Sequence, residues 1–166
     1  MKTSVSKFLF VVFLSFMVIG IQAQNAKSAL DQKELIKQFE GKWQAPSGKD
    51  SVEIWNWQPY GNAYECVVTL IVNKKEIPNY KNLSFFDNNS GKFYGAAIFN
   101  SGWWSGGWNG SFAEKNKFII DIYSLPDPVK PVGKGEFVFE AKDRFTFTNK
   151  NIVTGTVSVL KFAKVR

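Results

Sequence analysis

GEFVFEAKDRFTFTN, residues 135–149, contains two apolar-polar alternations joined by a turn. Phe137 and Phe139 oppose Glu136 and Glu140, and Phe145 and Phe147 oppose Arg144, Thr146 and Thr148. A period of two places successive side chains on opposite faces of a strand. Each half therefore has one phenylalanine face and one polar face, and Ala141-Lys142-Asp143 supplies the turn between them. Two such strands side by side make an antiparallel hairpin that must bury its rings against something else.

The same period runs outward through most of the chain. It predicts strands at 42–45, 51–57, 63–73, 79–86, 92–100, 103–112, 117–125, 134–141, 144–149 and 156–165, with turn residues in the intervals. Short strands in series without interposed helices predict an all-β fold. An up-and-down antiparallel β-barrel of eight to ten strands is preferred over a sandwich, because closure leaves no exposed edge. One short helix precedes the strands, within SALDQKELIKQFEG (residues 28–41). Ser28 with Asp31 forms a capping pattern, Leu35, Ile36 and Phe39 form an apolar face, and Gly41 is placed to stop it.

Parity also sorts the aromatic residues. In NSGWWSGGWNG, residues 100–110, Trp104, Gly106, Trp108 and Gly110 share a face with Phe112, while Trp103 falls on the other. Large and small residues alternating on one face suit a barrel interior, where a glycine lets a neighbouring ring lie over the backbone. Phe118 is read as interior by the same rule. Trp55 and Trp57 share a parity opposite Val52 and Ile54 and are expected outside the barrel near Tyr60.

Gly41-Lys42-Trp43, just after a short helix and at the first strand, resembles the Gly-x-Trp signature of the lipocalin and fatty-acid-binding superfamily. FDNNSGKFYG, residues 86–95, followed by Asn100-Ser101-Gly102, resembles a stretch of small bacterial lipocalin-like proteins. The resemblance implies a helix closing one barrel end, a tryptophan packed beneath it, and a basic residue over that tryptophan, here Lys161, Lys164 or Arg166. The Thr-Asp-Tyr hairpin signature of true lipocalins is absent. Haem barrels that share the Gly-x-Trp signature depend on histidine, and this chain has none.

Function is bounded mostly by what is missing. Residues 1–23, with Lys2 and Lys7 ahead of an apolar run and Ala23 at the cleavage position, are expected to be a signal peptide. Residues 24–166 then form a single exported domain, periplasmic or secreted, with no membrane span. Its formal charge falls from +7 to +5, without the basic stripe that nucleic acid binding needs. The one cysteine, Cys66, falls on the apolar side of its strand and is expected to be a buried free thiol.

The lack of histidine removes Ser-His and Cys-His catalysis and His-ligated metals, and no residue pattern calls for a cofactor. Two-carboxylate chemistry would have to use Glu53 with Glu65 across the 59–62 turn on the outer face, or Glu136 with Glu140. Carboxylates in such positions are ordinarily solvated surface, so a non-enzymatic protein is expected. The expected partner is a small hydrophobic or amphipathic molecule in the barrel, lined by some of Trp104, Trp108, Phe112, Phe118, Phe137, Phe139, Phe145 and Phe147. The alternatives are a carbohydrate-binding module using exposed Trp55, Trp57 or Trp103, and a barrel packed solid by its own phenylalanines.

Overall fold

The computed structural model describes residues 30–100, 105–124 and 129–166. The compact unit Asp31–Arg166 is a closed antiparallel barrel in which every strand pairs with its sequence neighbours and the last pairs with the first. The strands are β1 (Gly41–Gly48), β2 (Ser51–Tyr60), β3 (Ala63–Val72), β4 (Lys75–Asp87) and β5 (Lys92–Phe99). They continue as β6 (Ser105–Glu114), β7 (Lys117–Ser124), β8 (Pro131–Ala141), β9 (Arg144–Asn151) and β10 (Val157–Lys164). The alternation thus located all ten strands, with the largest shift at β4, which starts at Lys75 rather than residue 79. Asn73 and Lys74 both take positive φ between β3 and β4, as a two-residue hairpin turn matched to strand twist requires.

The short helix is α1 (Gln32–Leu35), which tightens into a single 3₁₀ turn at Ile36–Phe39. The cap is Asp31 itself, whose carboxylate accepts from the Glu34 N–H at 3.1 Å; Ser28 lies outside the described residues. Glu40 leaves the helix in an extended conformation, so Gly41 opens β1 instead of stopping the helix. Ile36 and Phe39, three positions apart, are both buried in the barrel end.

Gln32 ties the helix to the sheet. Its amide donates to the Phe112 carbonyl at 3.1 Å and accepts from the Phe112 N–H at 2.7 Å. These bonds satisfy main-chain groups at the bulge where the β6–β7 register shifts between Phe112 and Glu114. Gln38 adds a bond to the Lys115 carbonyl at 2.8 Å.

Beside this plug the Gly41-Lys42-Trp43 signature is spatially coherent. Trp43 is fully buried and donates from Nε1 to the Phe39 carbonyl at 2.6 Å. Among the three basic candidates, Lys164 covers it, with Nζ 5.0 Å from the ring centre. Gly41 makes room for that lysine: it has φ +110°, and an added Cβ would come within 2.8 Å of Lys164 Cε. β1 and β10 pair at Trp43↔Lys164 and Gln44↔Ala163, and beside them the Val165 N–H bonds the Lys42 carbonyl at 2.8 Å, so this corner carries the seam of the barrel.

Gly41→Ala should therefore cost about 1–3 kcal/mol through backbone strain. Urea unfolding measures it, and an unchanged midpoint would show that the seam does not depend on this glycine.

Candidate functional site

The barrel interior divides into two halves. In the closed half, the Phe39 ring meets Trp57, Phe137 and Phe139 at 5.0, 5.1 and 4.8 Å between centroids, and Phe112 and Phe145 somewhat farther out. Phe145 also stacks on Phe162 at 4.7 Å and meets Trp43 edge-on at 4.8 Å. Toward the other end, which carries the 48–51, 72–75 and 151–157 turns, lies a cavity of about 320 Å³ floored by Phe39. Solid packing and an open cavity thus coexist in one barrel.

Of the aromatics chosen by parity, Trp108, Phe118, Phe137 and Phe147 line the cavity. Phe112, Phe139 and Phe145 do not: they are buried in the closed half. The physical reason is height along the axis, which alternation does not report. Phe112 and Phe139 stand two residues before the ends of β6 and β8, and Phe145 is the second residue of β9, all next to turns at the helix end. Trp103 and Trp104 lie outside the described residues.

β2 corrects the expectation for its tryptophans. Trp55 and Trp57 point inward, are only 5% and 6% exposed, and line the cavity, so they offer no outer sugar platform. β2 carries apolar residues on both faces, and Val52 and Ile54 outweigh the exposed Asn56 and Gln58 that share their side. The inward sense comes from register: Trp55 pairs with the buried Trp43, and Trp57 with the buried Cys66. Trp55 packs on Phe162 and Phe147 at 4.5 and 5.5 Å. Trp57 Nε1 is buried without an acceptor among the described residues, an orphan donor within the cavity wall.

The polar part of the lining was missed because each group sits on a strand whose apolar neighbours dominated the pattern. Glu53 shares the inward parity of Trp55 and accepts a hydrogen bond from Trp55 Nε1 at 2.7 Å. Loss of hydration pushes its carboxyl up, against the opposing effect of that bond. Burial likewise raises the Cys66 thiol and the Tyr80 phenol well above their ordinary values, and both feel the Glu53 charge. Asn82 accepts from Trp108 Nε1 at 3.1 Å. The Trp108 ring reaches it by lying flat over Gly95, where any Cβ would collide with the indole.

The carboxylate pairs do not assemble as the sequence suggested. Glu53 is inside, whereas Glu65 is on the outer wall, ion-paired to Lys81 at 2.9 Å and bonded by Gln58 at 3.1 Å. The Lys81 bond lowers the Glu65 carboxyl. Glu136 pairs with Lys117 at 2.8 Å, and Glu140 accepts from Thr146. Among the described residues, no group of three His, Cys, Asp or Glu is placed to hold a metal, and no helix is long and apolar enough to cross a membrane.

Because the Glu53 carboxyl is raised in the folded state, its cost to folding is absent below the unfolded value, grows as pH rises from there, and is complete above the folded value. Glu53→Gln should melt above the wild type at neutral pH, and the two should converge below about pH 4. Equal melting temperatures at neutral pH would mean that Glu53 is fully hydrated.

No protein-family model matches the chain, and no curated protein does. Among solved structures, it is similar to a redesigned β-barrel, mFAP1, bound to DFHBI, with 10% identity over 78% of this chain and 96% of that one and a TM-score of 0.36.

Proposed function

We propose that the protein is an exported, non-enzymatic binder of one compact hydrophobic or amphipathic molecule, held in the open half of a lipocalin-like barrel. The observation that carries this reading is the cavity of about 320 Å³, set above a closed half packed ring against ring. Were the interior needed only for stability, filling it would be favoured, since unfilled space forfeits packing contacts. The volume lies at the low end of small-molecule sites. It equals the room of about ten waters in the liquid.

The lining also suits such a ligand: mostly aromatic and aliphatic walls, with a few polar groups from Glu53, Tyr80, Asn82, Asn149 and Ser158 to orient it. The lipocalin-like assignment draws on the Gly41, Trp43 and Lys164 corner and on the helix that plugs the end beside it. Export draws on the leader-like residues 1–23.

The test is fluorescence titration with the neutral probe N-phenyl-1-naphthylamine, whose emission rises in an apolar site. Saturable binding is expected, and Ala97→Phe, which puts a ring into the cavity from its wall, should abolish it while the melting transition persists. Absence of saturable binding, or binding untouched by Ala97→Phe, would overturn the assignment.

A further inference from the structure

The charge distribution inside the barrel is one-sided. The chain has 21 lysines and arginines against 14 acids, yet among the described residues no lysine or arginine lines the cavity. The ionisable groups in the lining are Glu53, Cys66 and Tyr80, and burial keeps the latter two neutral. Among the described residues, Glu53 is therefore the one formal charge in the wall. Its Oε1 takes the Trp55 indole N–H, and among the described residues no cation lies within ion-pair distance of either oxygen.

A half-buried carboxylate without a counter-ion loses hydration that only an opposite charge fully returns. On the outer wall Glu65 has Lys81 and Glu136 has Lys117 as counter-ions. Trp55 bonds Glu53 directly and Tyr80 lies near enough to feel its charge, and the faces of such rings attract a cation and repel an anion. The described lining offers a carboxylate or phosphate neutral donors, such as Trp57 Nε1, Asn149 and Ser158, but no positive charge.

We infer that the cavity takes a cationic ligand: a compact aryl or alkyl amine whose ammonium sits against Glu53 and whose apolar part lies among Trp55, Trp108 and Phe147. This rests on the reading of the barrel as a binding protein and adds the charge of the ligand to it. The carboxylate supplies the counter-ion, the rings supply secondary attraction, and the closed half limits ligand length.

Three probes of one shape separate charge from fit: 2-phenylethylamine, 2-phenylethanol and phenylacetate, each titrated calorimetrically into the full-length protein at neutral pH. The amine is expected to bind at least about tenfold tighter than the alcohol, as hydrogen bonds to a charged partner allow. Phenylacetate is expected to bind weakest. Glu53→Gln, which keeps the side chain's shape and the Trp55 bond, should bring amine and alcohol to within about twofold of each other. Equal affinities for amine and alcohol in the wild type, or an amine preference that survives Glu53→Gln, would overturn the cation assignment and leave the binding reading standing. Failure of all three probes and of the naphthylamine to bind would overturn both.

Discussion

The position of one ring, Phe39, organises this molecule. It enters the barrel end from the 3₁₀ turn and touches Trp57, Phe112, Phe118, Phe137, Phe139 and Phe145, while its carbonyl holds the Trp43 indole. A barrel of ten strands encloses more width than its own side chains fill easily, and a plug of this kind converts one end into ordinary core. The Gln32 amide on Phe112 and the Lys164 side chain over Trp43 hold the plug from either side. The space that Phe39 does not reach is the cavity.

That division explains why the aromatic content serves two purposes. Rings near the helix end stack and meet edge to face, which is worth more than their buried area alone. Rings farther up, Trp55, Trp108 and the stacked pair Phe137 and Phe147 at 4.3 Å, present faces to open volume. Trp108 is held in that pose by Asn82 on one side and by the absent side chain of Gly95 beneath it. The described lining is then mostly apolar with Glu53 as its one carboxylate, a combination that discriminates by shape first and by charge second.

The strands and their order were legible because polar and apolar residues alternate cleanly in most of them, as in β8 and β9. The inward sense failed at β2, where Val52 and Ile54 give an apolar look to the outer face, which also carries the exposed Asn56 and Gln58. Glu53 was misplaced with it: a glutamate in an alternating strand reads as outer surface, and only the pairing of Trp55 with Trp43 reverses that. The split between cavity and core was invisible to parity, although strand direction carried a usable signal. Phe112, Phe139 and Phe145 adjoin turns at the same end as the helix. The Gln32 contact with Phe112 joins residues 80 apart and leaves no local pattern.

Xenon enters apolar cavities and leaves well-packed cores alone. A crystal structure of the protein under xenon pressure therefore tests the division of the barrel most directly. The expected result is xenon among Trp55, Trp108, Phe137 and Phe147, with none among Phe112, Phe139 and Phe145. An upper half filled by collapsed side chains, or xenon lodged beside Phe39 in the closed half, would contradict it.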